Sequence, residues 1–107
     1  MNNIDVAKAI VAALKKNRSR WQLSGRRINY DALTHFEFID GDEMLDAIES
    51  SLRPEDYVKG PVPDNHPHPL PGPVWIFKTY IEGELCYLKV QRKPNKTDFW
   101  ISAHLDN

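Results

Sequence analysis

The chain has 107 residues, which is enough for one hydrophobic core and too few for two. Hydrophobic residues make up 41% of it and charged residues 27%, a composition that is typical of a folded protein and excludes a largely disordered one. The net charge of −1 excludes a strongly basic chain, and a lone cysteine, Cys86, excludes an internal disulfide.

Residues 1–107 are therefore expected to form a single domain. The chain has no apolar run near the roughly 20 residues that a membrane helix needs, and its N-terminus lacks the apolar core of a signal peptide. Together with the lone cysteine, these features predict a soluble, cytoplasmic protein with no membrane partner.

Charges are segregated along the chain in a basic, an acidic and a second basic stretch. The three stretches consist of Lys15, Lys16, Arg18, Arg20, Arg26 and Arg27; of Asp40, Asp42, Glu43, Asp46, Glu49, Glu55 and Asp56; and of Lys89, Arg92, Lys93 and Lys96. A nearly neutral chain with this segregation can still present one basic face to a polyanion.

The N-terminal half has the pattern of helices. Apolar residues recur with a helical period between Ile4 and Leu14 and predict a first helix. Residues 19–39 show no clean period, so only a short helix near residues 29–35 is expected there.

The clearest helix covers residues 40–51. Asp40 is suited to cap its N-terminus, and Glu43 follows three residues later, as in a capping box. The Arg53-Pro54 step should end the helix, because the residue before a proline avoids helical backbone angles.

Residues 60–73 differ in composition, with six of the chain's eight prolines. Proline lacks the amide hydrogen and fixes φ, so neither a helix nor a central strand is expected. The segment should form a semi-rigid, extended loop that carries His66 and His68.

The rest of the chain has a β pattern. Residues 74–80, 85–91 and 98–104 predict three strands, joined by turns at residues 81–84 and 92–97. Antiparallel strands can bury one face against helices. The sequence thus predicts an α+β fold with N-terminal helices packed on a C-terminal, mainly antiparallel β-sheet.

Motifs for metals and cofactors are missing. A zinc site needs three or four ligands, and no second ligand pair accompanies His66 and His68. The chain has neither a glycine-rich phosphate loop nor a Gly-x-Ser-x-Gly turn. Cys86, in the middle of a predicted strand, is expected to be a buried, inert thiol. We expect no metal and no cofactor.

Alternation along the strands separates an apolar face from a polar one. In the second predicted strand the apolar set is Cys86, Leu88 and Val90, and the opposite set is Leu85, Tyr87, Lys89 and Gln91. In the third, an inward set of Phe99, Ile101 and Ala103 would leave outside Trp100, Ser102 and His104. These outward side chains would join Tyr87 in one exposed row.

Such a row of phenol, ammonium and imidazole groups suits RNA. RNA can be cleaved without a metal because its own 2′-hydroxyl attacks the adjacent phosphate, and the protein moves protons and stabilises charge. Trp100 or Tyr80 would be suited to stack an unpaired base. The alternative is a solvated sheet face that only keeps the protein soluble.

Several segments follow one another in a recognisable order. A helix that reads Asp-Gly-Asp-Glu-Met-Leu-Asp-Ala-Ile leads into an acidic turn that ends in Lys59. A tryptophan strand around Trp75, a Tyr-Leu-Lys segment at Tyr87 and a last hydrophobic strand ending in His104 come next. From Asp40 onward the chain thereby resembles the MqsR family of toxins, RelE-like bacterial mRNA interferases that an antitoxin neutralises.

The resemblance implies a metal-independent endoribonuclease toxin that cuts single-stranded mRNA, leaves a 2′,3′-cyclic phosphate and binds a cognate antitoxin. Lys59 and Tyr87 take the places of the family's catalytic lysine and tyrosine, and His104 falls where the family has a basic residue. We expect His104 and Lys59 to transfer protons or stabilise charge, and Tyr87 to donate a proton or position the phosphate. The expected substrate-binding residues are Lys78, Lys89, Gln91, Arg92 and Trp100.

Two features depart from the family pattern. Ile76 stands where the family has a polar residue, which leaves that role vacant or moved to Lys78 or Gln91. The loop at residues 60–73 is longer and stiffer than the pattern. Two alternatives stay open: a non-catalytic RelE/ParE-like toxin that binds a protein such as gyrase, and a small protein-binding module that uses the loop.

Overall fold

The structure is a computed structural model that describes residues 3–64 and 66–106. Three helices pack on one five-stranded mixed sheet, which confirms the predicted α+β fold. The helices are α1 (Asn3–Lys16), α2 (Arg27–Phe36) and α3 (Gly41–Ser51). The strands are β1 (Trp21–Leu23), β2 (Tyr57–Val62), β3 (Val74–Ile81), β4 (Glu84–Arg92) and β5 (Asp98–Leu105). None of the helices in these ranges is long and apolar enough to span a membrane.

The sheet has the order β1-β5-β4-β3-β2, so the three predicted strands form its centre. Two edge strands were not predicted. β1 pairs in parallel with β5, and β2 pairs antiparallel with β3. The prediction that a loop begins at residue 60 was wrong for residues 60–62, which belong to β2. Pro61 is tolerated there because an edge strand needs hydrogen bonds on one side only.

The helix α3 begins as predicted. The Asp40 carboxylate accepts a hydrogen bond from the Glu43 amide at 3.1 Å. The Glu43 carboxylate in turn accepts from the amide of Ile39, at 3.3 Å, one residue before the cap. One amide of the first helical turn and one amide just before the cap are thus satisfied by side chains.

The core lies between the helices and one face of the sheet, which we call the inner face. Leu14 of α1 and Ile48 of α3 are fully buried there against Leu88 of β4. Trp21 and Trp100 meet edge to face with ring centroids 4.8 Å apart, and the Trp21 indole donates to the Leu14 carbonyl. The core therefore joins both halves of the chain.

A β-bulge changes which side chains of β5 point inward. Lys89 pairs with Ser102, whereas the next residue of β4, Val90, pairs with Trp100, so Ile101 is an extra residue. The prediction that Trp100 faces outward was therefore wrong: it is fully buried in the core. Alternation resumes beyond the bulge, where Ser102 and His104 point to the same side as Tyr87, as predicted.

The inner face also holds an ion pair. Arg92 makes two hydrogen bonds of 2.8 Å to the carboxylate of the fully buried Asp98, and it also reaches the Ala13 carbonyl of α1. Asn17 donates to the same carboxylate at 3.0 Å. Arg92 is thereby committed to the structure and is not on the polar face, contrary to its predicted role in binding phosphate.

Helix α2 lies along the edge of β5 beyond the short strand β1. The buried Asn29 side chain donates to the Ile101 carbonyl at 3.1 Å and accepts from the Ala103 amide at 2.9 Å. These bonds satisfy backbone groups that would otherwise be unpaired at the sheet edge. Asn29 thus fixes the start of α2 at the β5 edge of the sheet.

Candidate functional site

The outer face of the sheet, opposite to the core, has two parts. At one end a loop, described at residues 63–64 and 66–73, passes over the sheet, and Val74 and Gln91 beneath it are fully buried. At the other end Lys78 and Tyr80 are exposed, and Tyr87 and His104 are partly exposed. We call the first part the covered half and the second part the open half.

Three polar side chains form a row across the open half. Lys78 on β3 pairs with Tyr87 on β4, and Tyr87 pairs with His104 on β5. The rings of Tyr87 and His104 are 5.6 Å apart between centroids and inclined by 30°. We call these three residues the open row. It brings an ammonium, a phenol and an imidazole to one level of the sheet.

The hydrogen bonding of His104 selects one form of its ring. Its Nδ1 lies 2.9 Å from the Leu105 carbonyl oxygen. A carbonyl oxygen only accepts hydrogen bonds, so Nδ1 carries the hydrogen and the neutral ring keeps its lone pair on Nε2. Nε2 is therefore the atom of His104 that can take up a proton.

Lys78 is held in the row by an ion pair, with Nζ 3.1 Å from the Asp106 carboxylate. The Asp106 amide donates to the Leu85 carbonyl, so the chain after β5 stays beside β4. The ion pair is partly exposed and is therefore a weak one. It orients the ammonium group next to Tyr87 without burying it.

Lys59 is not in the open row. It pairs with Ile76 on β3, and Ile76 pairs with Lys89 on β4. With strands about 4.8 Å apart, the backbone of Lys59 lies about 10 Å from β4 and about 14 Å from β5. Lys59 is exposed at the edge of the sheet. The prediction that Lys59 converges with Tyr87 and His104 is therefore wrong. The ammonium group beside Tyr87 is that of Lys78.

The loop over the covered half is fastened to β4 by specific bonds. The side-chain amide of Gln91 donates to the carbonyls of Leu70 and Gly72, at 2.9 and 3.1 Å. The backbone amide of Arg92 donates to the Pro73 carbonyl. Gly72 has φ of 126°, and a Cβ there would lie 2.2 Å from the Arg92 carbonyl oxygen. Gln91, predicted to bind substrate from an open face, lies beneath the loop and holds it through Nε2.

Asp64 closes the loop on itself. Its carboxylate accepts from the Leu70 amide at 3.0 Å and from the His66 amide at 3.2 Å. The bond from Leu70 lowers the pKa of Asp64 against a smaller opposing effect of desolvation, and the nearby Lys89 lowers it further. The carboxylate is therefore charged at neutral pH and holds Asp64 close to the backbone of His66 and Leu70.

A pocket of about 660 Å³ lies between this loop and the sheet. We call it the covered cleft. Its lining combines cations and imidazoles with one carboxylate and an apolar floor: Arg26, Asp64, His66, His68, Leu70, Lys89, Gln91, Phe99 and Ile101. The cleft therefore offers both charge and apolar surface in one concave site.

Arg26, which precedes α2, reaches over the outer face and donates to the Ser102 hydroxyl at 2.8 Å. Sequence reasoning did not single out Arg26, Phe99 or Ile101. Arg26 was one of six cations in the basic stretch, and only the packing of α2 against β5 brings it to the cleft. Phe99 and Ile101 were assigned to the core, because the bulge cannot be read from their alternation.

Two further expectations concern metals and the thiol. Among the described residues, His, Cys, Asp and Glu side chains form no group of three that could hold a metal ion. Burial raises the pKa of the Cys86 thiol to about 11, and the charges of Glu84 and Asp106 raise it as well. Cys86 is therefore a protonated, buried side chain and no nucleophile.

No family model, curated protein or solved structure matches the chain. The case for a function therefore depends on the chemistry of the open row and the covered cleft.

Proposed function

We propose that the protein is a metal-independent endoribonuclease, an mRNA interferase toxin that cuts single-stranded mRNA in the cytoplasm. The observation that carries the proposal is the open row, in which Tyr87 lies between Lys78 and His104 on an accessible sheet face. A proton acceptor, a proton donor and a cation are the three groups that cleavage by a 2′-hydroxyl requires.

The proposed step uses Nε2 of His104 as the base. The 2′-oxygen attacks the adjacent phosphorus as its proton passes to Nε2, and the bond from phosphorus to the 5′-oxygen breaks. Tyr87 donates its phenolic proton to the departing oxygen. The products are a 2′,3′-cyclic phosphate and a 5′-hydroxyl, and a proton returned from His104 to Tyr87 through water restores the starting state.

Lys78 would stabilise the negative charge of the pentacoordinate phosphate, and further cations of the outer face would hold the neighbouring phosphate of the RNA strand. Lys78 is next to Tyr87, and Lys89 lies two residues further along β4 on the same face. Arg26 reaches this level of the sheet through Ser102, the partner of Lys89 in β5. Lys78 and Lys89 thus keep the phosphate-binding role expected of them, and Arg26 takes that of Arg92. Lys78 also takes the charge-stabilising role expected of Lys59, and all these contributions should weaken as salt is raised.

The biological role follows from the resemblance to the MqsR toxins. A cognate antitoxin would neutralise the protein by covering the outer face, since occupation of that face would exclude RNA from the open row. Acidic side chains of the antitoxin would be suited to pair with the cations of the outer face.

The test is cleavage of purified single-stranded RNA by the wild-type chain and by Tyr87→Phe and His104→Ala, with chelator present. Tyr80→Phe is the matched control, because Tyr80 is an exposed tyrosine of the same outer face outside the row. The change removes a phenolic hydroxyl but keeps the aromatic ring on which a base could stack. We expect each of the two variants to lose activity about 10²- to 10⁴-fold. The control should retain it.

Mapping of RNA 5′ ends after induction in cells would then show the sites of cleavage. Full cleavage by both Tyr87→Phe and His104→Ala would overturn the assignment of the open row. Growth arrest without RNA cleavage by the wild-type chain would favour the non-catalytic toxin that binds a protein.

A further inference from the structure

We propose that the covered cleft binds one nucleotide of the RNA next to the scissile phosphate, with the base on Phe99 and Ile101 and the phosphate on Arg26 and Lys89. The cleft would then determine which sequences are cut. This inference rests on the proposed function for its link to cleavage, whereas the binding of single-stranded RNA in the cleft can be tested without it.

The size of the cleft fits the inference. Its volume of about 660 Å³ lies within the range of about 300 to 1,000 Å³ that is typical of small-molecule sites. The loop forms one wall, and the bonds of Asp64 and Gln91 keep that wall in place. A cleft that is formed before the ligand arrives loses less entropy on binding.

The floor of the cleft suits a nucleobase. Phe99 and Ile101 are partly exposed apolar side chains of β5 that line it. The Lys93 ammonium lies 4.1 Å from the centroid of the Phe99 ring, which holds the ring in place and adds positive charge. Stacking on an aromatic ring is the usual way in which proteins hold an unpaired base.

The polar groups of the cleft suit a phosphate. The Arg26 guanidinium is exposed and bonded to the neutral Ser102 hydroxyl. His66 accepts a hydrogen bond from the His68 amide at Nδ1, so the hydrogen of its ring is on Nε2 and can be donated to an anion. The carboxylate of Asp64 opposes an anion, but it is already engaged by two backbone amides of the loop.

Gln91 adds a second polar feature. Its side chain is fully buried on the wall of the cleft, with Nε2 bonded to the loop. Its Oε1 finds no hydrogen-bond donor among the described residues. A buried acceptor without a partner is unfavourable, and an N–H group of a base at this wall would supply the missing donor.

The cleft and the open row are neighbours on the same strands. Lys89, which lines the cleft, is two residues from Tyr87, a separation of about 7 Å along β4. On β5, Ser102 pairs with Lys89 and lies two residues from His104, which pairs with Tyr87. A nucleotide in the cleft would therefore place the next phosphodiester at the open row.

The test uses binding and cleavage in parallel. Binding is measured by fluorescence anisotropy with short single strands of 2′-O-methyl RNA, which lack the attacking hydroxyl. The variants are Arg26→Gln and Phe99→Leu, and the control is Arg27→Gln, a change at an adjacent exposed arginine that does not line the cleft. Both cleft variants should bind about tenfold more weakly, and Arg26→Gln should also lower the salt dependence by about one counterion. The control should bind like the wild-type chain.

Cleavage of a randomised RNA pool then separates this inference from the nuclease proposal. The inference expects Phe99→Leu to change which sequences are cut. If Phe99→Leu changes neither the set of cleaved sequences nor the affinity for RNA, the proposed nucleotide site in the cleft is wrong, while the proposed nuclease activity still stands. Cleft-dependent binding without any cleavage by the wild-type chain would support the cleft and overturn the nuclease. Absence of binding, or equal losses in Arg26→Gln and Arg27→Gln, would also overturn the cleft.

Discussion

The two halves of the outer sheet face are built from the same three strands but differ in what covers them. The open half presents Lys78, Tyr87 and His104 directly, in register across β3, β4 and β5. The covered half lies beneath a proline-rich loop that Gln91 fastens to β4. One loop thus divides a continuous sheet face into a row of reactive groups and an enclosed cleft.

The difference indicates a division of roles. Proton transfer needs groups that a phosphodiester can approach from solution, and the open half has them. Selection among bases needs a surface that encloses its ligand, and the covered half has it. On this view variants of the open half act on the chemical step and variants of the covered half act on binding.

The largest expected effect comes from removing the proposed base of the open half. His104→Ala should lower kcat about 10²- to 10⁴-fold and leave KM nearly unchanged, because it removes the base without altering the cleft. Phe99→Leu should do the reverse and raise KM at nearly constant kcat. Initial rates on a short RNA measure both. A His104→Ala variant that differs from wild type in KM alone would contradict the division.

A smaller effect concerns the fastening of the loop. Gly72→Ala should destabilise the fold by about 2 kcal/mol, since φ of 126° disfavours a side chain and the Cβ would lie 2.2 Å from the Arg92 carbonyl oxygen. Gly83→Ala is the control, because Gly83 also has a positive φ but nothing lies within 4 Å of its Cβ. It should cost about 1 kcal/mol. Urea unfolding would show the difference, and equal costs would mean that the loop does not press on β4.

The stability of the loop over the covered half should depend on pH through Asp64. The folded pKa of Asp64 is lowered, chiefly by the hydrogen bond from the Leu70 amide. Its contribution to stability is therefore present above the ordinary value of 3.8 and is lost as the pH falls through the lowered folded pKa. The protection factor of the Leu70 amide, which compares its exchange rate with that of an unstructured peptide at the same pH, should fall in that acidic range. It should already be low at neutral pH in Asp64→Ala. Exchange that is the same in both proteins would show that Asp64 does not close the loop.

The smallest expected effect is at Lys59. Because its backbone is about 14 Å from β5, Lys59→Ala should change kcat less than Lys78→Ala does. Rates of the two variants at low salt would measure this, when interactions between exposed charges are least screened. A larger loss in Lys59→Ala would restore the catalytic role that the resemblance implies for it.

Much of the fold was predictable because the periodic segments are long. The helical spacing before Leu14, the Asp40 cap and the alternation in β4 are local patterns, and the structure confirms the elements that they predicted. The edge strands β1 and β2 were missed, because β1 has only three residues and β2 is interrupted by Gly60 and Pro61, so neither has a strand pattern of its own. Their pairing with β5 and β3 is a tertiary interaction.

The candidate site was predictable only in part. Tyr87 and His104 were placed together correctly, since both lie on predicted neighbouring strands. Trp100 was misplaced because a single bulged residue reverses alternation, and no residue type marks the bulge. Arg92 was assigned to the turn at residues 92–97, whereas it is the last residue of β4 and pairs with the buried Asp98 on the inner face.

The sequence by itself determined the fold class, the central strands and the outward placement of Tyr87 and His104, because these follow from periodicity over adjacent residues. Only the tertiary structure decided that Lys78 and not Lys59 completes the row, that Gln91 holds the loop and that Arg26 reaches the cleft. Each of these depends on strand register or on contacts between distant segments, which local patterns do not specify.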